Sequence, residues 1–273
     1  MAPTTTSSSG GEAPHENLHA EASSAVPRPG KVYLVGAGPG DPELITLKGL
    51  RCLRAADVVL YDRLISPLLL DEMRPGAERV FVGKEPGFHS MDQKDINALL
   101  VSYGLQGHTV VRLKGGDPFI FGRGGEEAQA LAEAGIPFEI VPGVSSAIAV
   151  PAYAGIPVTH RNYASSVTIV TGHEGKTQLP PINWEALAAL GGTLVVLMGV
   201  ASLPHFTQQL IEGGLDPDLP AAVIQEGTTE RQRSVTGTLA DIAERAAAAD
   251  LRSPALTVIG NVVSVREILA WYR

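Results

Sequence analysis

Residues 111–127, which read VRLKGGDPFIFGRGGEE, combine residue types that could bind a small molecule through the backbone. A β-rich stretch at 109–113 runs into GGDP at 115–118, which predicts a strand that ends in a tight turn with open N–H groups. A second glycine cluster at 122–125 leads into two glutamates, and an acidic first turn favours a helix N-terminus. The spacing therefore predicts two exposed backbone cradles close together in the chain.

The sequence pattern assigns no structural role to the carboxylate of Asp62. It ends a predicted strand at 57–61, and Ser66 already supplies the N-cap of the following helix. Lys84 ends the next predicted strand, 79–82, in an equivalent place. Two charged side chains therefore follow successive predicted strands, and ligands of open α/β sheets bind beyond the carboxyl ends of strands.

The elements that would position these residues alternate between strand and helix, which predicts an α/β fold. Asp41-Pro42 and Ser66-Pro67 each place a capping residue before a proline, which marks two helix starts. We predict strands at 32–35, 57–61, 79–82, 109–113 and 138–141, and helices at 41–55, 66–73, 93–102, 126–134 and 147–154.

The second half repeats the alternation with different spacing, and we place the domain boundary near residue 142. The expected organisation is a tail at 1–29, a first α/β domain at 30–142 and a second at 143–273. Here the predicted strands are 166–171, 193–198, 220–225 and 255–259, and the predicted helices are 184–190, 203–212, 239–249 and 264–271. Ligands of open α/β sheets bind beyond the carboxyl ends of strands, where the glycine clusters fall.

Composition restricts the functional classes. The 273 residues suffice for two domains, and the tail at 1–29 is too poor in large apolar residues to order itself. A net charge of −8 argues against a nucleic-acid partner. The single Cys52 excludes a disulfide framework, and we expect no metal site. The sequence shows no membrane span and no secretory signal, so we expect a cytoplasmic protein.

The loop at 36–41, GAGPGD, invites a dinucleotide-binding interpretation because it follows an apolar strand. The match fails at two positions. Asp41 stands where the third glycine of the motif belongs, and Pro39 stiffens the loop where a helix should open toward a pyrophosphate. We therefore disfavour a nicotinamide cofactor.

The same loop belongs to a larger set of motifs. The other motifs are DVVLYDRLI at 57–65, FVGK at 81–84, KGGDPFIFGRGGEE at 114–127 and PGVSS at 142–146, continued by AGIPVTHR at 154–161. Together with the loop, they resemble the uroporphyrinogen-III C-methyltransferases of the tetrapyrrole methylase family. The likeness covers roughly residues 31–263. It implies a homodimer of subunits with two α/β domains and mixed sheets, which hold S-adenosylmethionine (SAM) in the cleft between domains.

The resemblance also implies a set of residues that line the methyl donor. Glycine turns would let backbone groups reach the donor, while two apolar side chains would supply walls. Where the family often has Thr-Ala, this chain has a Ser-Ser pair, and we expect the hydroxyl contacts to survive. The implied donor-binding residues are Pro39, Gly115, Gly116, Asp117, Ile120, Ser145, Ser146, Met198 and Gly227.

By the same resemblance, Asp62 and Lys84 are the proton-handling pair. Methylating a pyrrole carbon leaves a cationic centre, and losing a proton elsewhere on the macrocycle relieves it. Lys84 would act either as an acid or as a ligand of a substrate carboxylate. Positive groups beside the motifs would bind the acidic substrate at loop positions, namely Arg63, Arg112, Arg123, His160 and Arg161. For Arg231 and Arg233, substrate contact and a plain surface position both stay open.

The implied reaction adds two methyl groups to uroporphyrinogen III, giving precorrin-2 for sirohaem or cobalamin and S-adenosylhomocysteine as by-product. The alternatives are a relative acting on a later corrin intermediate, or on a non-tetrapyrrole acceptor such as ribosomal RNA or a modified histidine. An oxidoreductase and a non-catalytic tetrapyrrole carrier are more distant alternatives. We expect no fused dehydrogenase-chelatase module within this length.

Overall fold

The computed structural model of the protein describes residues 30–83, 91–172 and 180–272. The tail predicted at 1–29 and the proposed proton donor Lys84 lie outside these ranges. Within them the chain forms two five-stranded sheets with helices packed against them.

The first sheet has the strand order β3-β2-β4-β1-β5, and all of its neighbouring strands run parallel. Parallel pairing requires crossover connections, which the intervening helices supply. Its strands are β1 (Val32–Gly36), β2 (Val58–Tyr61), β3 (Glu78–Phe81), β4 (Val110–Lys114) and β5 (Phe138–Val141), and its helices are α1 (Leu47–Ala55), α2 (Pro67–Asp71), α3 (Gln93–Leu105) and α4 (Gly124–Glu133).

Alternating side chains of these strands fill two separate cores. Leu34, Leu60 and Val110 pack with α3 and α4 on one face, whereas Val59 and Val111 pack with α1 and α2 on the other. Both faces are therefore covered, as expected for a parallel sheet. A charged residue on either face of β4 must consequently find its partner inside the protein.

The second sheet has the order β6-β7-β10-β8-β9, in which only β6 and β7 pair in parallel. The expectation of mixed sheets therefore holds for this sheet, whereas the first is parallel throughout because every one of its links is a crossover. The elements of this half are α5 (Ser146–Tyr153), β6 (Val167–Thr171), α6 (Trp184–Leu190), β7 (Thr193–Leu197), α7 (Leu203–Glu212), β8 (Pro220–Gln225), β9 (Arg233–Thr238), α8 (Ile242–Ala248), β10 (Ala255–Ile259) and α9 (Arg266–Leu269).

Four helix predictions were too long, and the helices predicted at 66–73 and 239–249 correspond to the shorter α2 and α8. The segment predicted as one helix at 41–55 is a short 3-10 turn, Pro42–Leu44, followed by α1, because Thr46 is extended and its hydroxyl caps the amide of Gly49. The predicted final helix at 264–271 is likewise a 3-10 turn, Asn261–Val265, followed by α9.

Strand β9 was missed. It pairs antiparallel with β8 at the edge of the sheet, and its β-branched residues Val235, Thr236 and Thr238 were the available signal. Arg233 lies in this strand and donates to the carbonyl of Ala249, while Arg231 pairs with Glu226. These contacts favour a structural position for both arginines.

The proposed domain boundary falls between the two sheets. Strand β5 ends the first sheet at Val141, and Ala147 and Val150 of α5 pack with Val195 and Ala222 of the second sheet. A division after residue 142 agrees with this packing and stays a proposal. In the described ranges we find no helix whose length and apolar character would let it cross a membrane.

Candidate active site

Four loops meet at the carboxyl edge of the first sheet because their strands are neighbours in the order β2-β4-β1-β5. Parallel strands end at the same edge, so the loop containing Asp62 lies beside the loop at 115–123. The loops at 37–41 and 142–145 follow in turn. The motifs that the sequence singled out separately are thus brought together at one edge, where open α/β sheets bind ligands.

The glycine loops after β4 and β1 are joined directly through their backbones. Gly116 donates its N–H to the carbonyl of Gly38 at 2.7 Å, and Gly38 donates back at 3.3 Å. Gly116 has a φ of 67°, which L side chains rarely adopt. A Cβ on Gly143, from the third loop, would lie 2.4 Å from the Gly116 carbonyl oxygen. Glycine here allows three loops to pack against one another.

Asp117, a predicted ligand of the donor, ties two of these loops together. Its carboxylate accepts from the amide of Phe119 at 2.8 Å and from the amide of Gly143 at 3.0 Å. Both oxygens are engaged by the protein, so Asp117 shapes the loops that would hold a ligand. Direct contact with the donor stays a prediction.

The serine pair begins helix α5. Ser145 is buried, occupies the N-cap and accepts from the amide of Ala147 at 3.3 Å, which is a structural use of its hydroxyl. Ser146 is the first helical residue and is half-buried. Of the two hydroxyls, the one on Ser146 is therefore the better candidate for a ligand contact.

Three of the residues predicted to line the donor border open space. A Cβ built on Gly115 would meet only the Leu64 side chain, at 3.7 Å, so the Gly115 backbone faces open space. Ile120 and Met198 are 40% and 49% exposed, although both are large and apolar. Bare backbone beside exposed apolar side chains suits a ligand with apolar and polar parts, and SAM is such a ligand.

The loop that contains Pro39 contacts the half of the chain that forms the second sheet. The amide of Asp41 donates to the hydroxyl of Thr228 at 3.1 Å, and Tyr153 donates to the Asp41 carboxylate at 2.7 Å. Burial, reinforced by this hydrogen bond, raises the pKa of Tyr153 to about 12. These contacts fix the Pro39 loop against the end of α5 and the loop after β8.

Gly227, at the carboxyl end of β8, has a clear packing role. A Cβ there would lie 2.3 Å from a methyl group of Val150 in α5, so only glycine fits. Met198 follows β7, and β7 and β8 run in the same direction because each is antiparallel to β10. Met198 and Gly227 therefore lie at the same edge of the second sheet.

Backbone strain is concentrated in these loops. Non-glycine residues with positive φ are uncommon, and they cluster at functional sites when the surrounding structure enforces them. In the described part of the chain they are Phe121, Arg123, Met198, Glu226, Thr228 and Asp250. All but Asp250 belong to the loops after β4, β7 and β8, which supports these loops as the functional site.

Asp62 is held by a buried group of charges. Arg112 donates from Nη2 to Asp62 Oδ1 at 2.7 Å and from Nε to Glu127 Oε1 at 2.9 Å, and Lys114 donates to the same Glu127 oxygen at 3.0 Å. The side chains of Arg112, Lys114 and Glu127 are at most 4% exposed, whereas Asp62 is 32% exposed. We call Arg112, Lys114 and Glu127 the buried triad.

Protonation states within the triad follow from burial and charge. Burial, followed by the positive charge of Arg112, lowers the pKa of Lys114 below its ordinary value. Burial alone would lower the pKa of Arg112 as well, but Asp62 and Glu127 together raise it. Arg112 is therefore a permanent cation that faces two carboxylates.

The predicted substrate-binding residues divide into two groups. Arg112 is not at a loop position: it lies inside β4, within the strand predicted at 109–113, and its guanidinium is engaged by Asp62 and Glu127. Arg63, Arg123 and Arg161 are exposed, in loops, as expected. His160 is half-buried and its Nδ1 accepts from the amide of Asn162, which leaves Nε2 for other contacts.

Glu127 and Lys114 were missed as parts of the site. The two glutamates at 126 and 127 were interpreted only as a favourable first helical turn, and Lys114 only as part of a motif. The signal was present in β4, where Arg112 and Lys114 alternate with the apolar Val111 and Leu113. In a sheet covered on both faces, such charges require an interior partner.

With the fold and site described, the chain can be compared with known proteins. The family model for Tetrapyrrole (Corrin/Porphyrin) Methylases matches residues 31–243, and the chain belongs to this family. A SAM-dependent uroporphyrinogen III methyltransferase of Methanosarcina barkeri is 53% identical over 89% of this chain and 96% of its own length. A siroheme synthase of Acinetobacter baylyi is 56% identical over 89% of this chain and 53% of its own length. The chain thus spans about half the length of the siroheme synthases that it matches.

The fold has been seen in related enzymes. The crystal structure of a uroporphyrin-III C-methyl transferase from Thermus thermophilus, complexed with S-adenyl homocysteine, is 43% identical and superimposes with a TM-score of 0.74. The match covers 86% of this chain and all of that one. The α/β fold expected from the sequence, here with two five-stranded sheets, is therefore confirmed as the tetrapyrrole methylase fold.

Proposed function

We propose that this chain transfers two methyl groups in sequence from SAM to carbons of uroporphyrinogen III, giving precorrin-2. The observation that carries the proposal is the placement of Asp62, partly exposed and paired with Arg112, beside the open glycine loop at 115–118. The methyltransferase relatives from Methanosarcina barkeri and Thermus thermophilus support the choice of donor and acceptor.

SAM would supply an activated methyl group, since its sulfonium releases a neutral thioether, S-adenosylhomocysteine, when the C–S bond breaks and the new C–C bond forms. The protein's task is therefore mainly positioning and exclusion of water. Gly115, Gly116 and the Pro39 loop would hold the donor, with Ile120 and Met198 as apolar walls. Asp62 would accept the proton that the methylated macrocycle loses.

The substrate is a polycarboxylate, and cationic side chains around the cleft would bind it. Arg63, Arg123 and Arg161 have the exposure that this role requires, and arginine can grip a carboxylate with two hydrogen bonds. His160 would contribute a further donor. Lys84 stays part of the proposal either as proton donor or as carboxylate ligand.

The test is an anaerobic incubation with uroporphyrinogen III and methyl-labelled SAM, followed by mass spectrometry that counts the methyl groups added. We expect two. Asp62→Asn should slow transfer by about 10²- to 10⁴-fold, the usual contribution of a general base, while calorimetry shows unchanged donor binding. The matched control is Asp71→Asn, an exposed aspartate on α2, which should leave the rate unchanged.

A different outcome would redirect the assignment. If the donor binds but no methyl reaches uroporphyrinogen III, the acceptor is another molecule, such as a later corrin intermediate. Whether the product serves sirohaem or cobalamin depends on the enzymes that receive it.

We also propose that the protein is a cytoplasmic homodimer. Leu47, Leu68 and Ile268 are 81%, 63% and 84% exposed, and apolar side chains of this size are often covered by a partner. Light scattering coupled to size exclusion tests the dimer, which predicts twice the mass of the chain. Cell fractionation tests the location.

A further inference from the structure

The buried triad occupies a place where apolar residues would be expected. Val110 and Arg112 project to the same face of β4, and Val110 packs there with Leu34 and Leu60. Towards the carboxyl end, this face changes from apolar core to Arg112 and Lys114, covered by Glu127 of α4. The change occurs where the loop containing Asp62 follows the neighbouring strand β2.

Stability does not explain this arrangement. Taking charges out of water costs several kcal/mol per ion, and buried ion pairs are often no better for stability than apolar residues of the same size. One oxygen of Glu127, Oε2, is buried and has no hydrogen-bond partner among the described residues. An incompletely satisfied buried carboxylate calls for a reason other than stability.

The geometry of Arg112 supplies that reason. Its planar guanidinium uses Nε for Glu127 and Nη2 for Asp62, so fixing one side of the plane also fixes the other. Nη1 donates to the carbonyl of Leu113 at 3.3 Å. Gln93 of α3 lies 3.4 Å from the bonded oxygen of Glu127, which adds a contact from a second helix.

The charges of Asp62 and the buried triad balance one another. The triad contains two basic groups and one carboxylate, and the carboxylate of Asp62 balances the remaining positive charge of the cluster. Because Asp62 is the only partly exposed member of the four, the cluster presents one oriented carboxylate to the cleft. Arg112 and Lys114 come from β4, Glu127 from α4, and Asp62 from the loop after β2.

We infer that Arg112 is a positioning residue for the proposed reaction, and that it sets the orientation of the Asp62 carboxylate from within the protein while Glu127 and Lys114 hold it. This inference rests on the proposed function, because Asp62 is the general base there. Arg112 does not contact the substrate. Its effect on the rate should therefore act entirely through Asp62.

A double-mutant cycle on the full chain tests this dependence. In the wild-type background, Arg112→Gln should lower kcat by about 10²-fold, the effect of misplacing a catalytic group by about 1 Å, with KM for uroporphyrinogen III and the Kd for SAM within about twofold. In the Asp62→Asn background, the same substitution should change kcat less than about twofold. An equal loss in both backgrounds would overturn the inference.

Two further variants separate positioning from folding. Arg112→Lys keeps the charge but lacks the planar fork, so it should fold and recover only part of kcat. Complete recovery would overturn the inference, because charge alone would then suffice. Arg245→Gln removes an arginine–carboxylate pair with Asp241 in the second domain, and it should leave kcat unchanged.

A spectroscopic measurement makes the test independent of turnover. The ¹³C chemical shift of the Asp62 carboxyl carbon should move in Arg112→Gln and in Glu127→Gln, but not in Arg245→Gln. An unmoved resonance in Arg112→Gln would overturn the inference. If the wild-type protein binds SAM but methylates no uroporphyrinogen III, the proposed function fails, while this resonance still decides the role of Arg112.

Discussion

Two arginine–carboxylate pairs from the same stretch of chain lie in opposite environments. Arg112 and Glu127 are at most 3% exposed, whereas Arg123 and Glu126 are 56% and 50% exposed. Arg123 grips Glu126 with two hydrogen bonds, of 2.8 and 2.7 Å. The buried pair is shielded from water and salt, so its geometry is fixed, while the exposed pair is open to solvent and free to exchange its partners.

This comparison shows that residue type alone does not determine the role of an arginine in this protein. Both arginines lie beside the same motif, and both were predicted to bind substrate. Burial separates them, because the guanidinium of Arg112 is enclosed and engaged by two protein carboxylates, whereas that of Arg123 is half-exposed. The following predictions test whether this separation is as complete as the structure indicates.

The largest expected effect is on stability, at Glu127. Glu127→Gln keeps the volume of the side chain but leaves two buried cations facing a neutral amide, which should lower the free energy of unfolding by about 3 to 5 kcal/mol. The matched substitution Glu126→Gln affects a half-exposed pair and should cost no more than about 1 kcal/mol. Urea denaturation measures both. Equal costs would show that the buried pair has no special energetic status.

An intermediate effect is expected on substrate use, at Arg123. Hydrogen bonds to charged groups contribute about 1.5 to 3 kcal/mol, so Arg123→Gln should lower kcat/KM for uroporphyrinogen III by about 10- to 100-fold. The free energy of unfolding should change by less than about 1 kcal/mol, since the pair with Glu126 is solvent-exposed. Steady-state kinetics and denaturation together check this. A large loss of stability with unchanged kcat/KM would assign Arg123 to the structure instead.

The contrast between the two pairs also shows what the sequence could predict. Strong local signals located the glycine loops, the helix start at Ser66 and most strands, because turn chemistry and hydrophobic period are local properties. Asp62 was singled out because it is not needed as the N-cap of the following helix. The shared edge of the sheet then followed from strand order, which the sequence did not reveal.

The partners of Asp62 could not be predicted in the same way. The contacts of Arg112 with Asp62 and with Glu127 join residues from separate elements, and nothing local distinguishes the buried Glu127 from its exposed neighbour Glu126. Only the packing of α4 against the face of β4 decides which glutamate is buried. Likewise, the sequence did not show that Ser145 is a helix cap and Ser146 is not.

The smallest expected effect is a pH dependence of stability at Lys114. Burial, and then the charge of Arg112, lowers the pKa of Lys114 below 10.5, so the unfolded chain binds this proton more tightly than the folded protein does. The free energy of unfolding should therefore rise with pH between the folded pKa of Lys114 and 10.5. The slope from one such group cannot exceed about 1.4 kcal/mol per pH unit.

Comparison with Lys114→Met isolates this contribution, because the other titrating groups largely cancel in the difference. As pH rises from neutral towards 10.5, the wild-type protein should gain stability relative to the variant in urea denaturation. A difference in stability that stays constant with pH would mean that the attraction of Glu127 offsets the lowering of the Lys114 pKa by burial. Burial of the Lys114 ammonium would then be fully offset by its ion pair. The free-energy cost that distinguishes the triad from the exposed pair would have to come from burying Arg112 and Glu127.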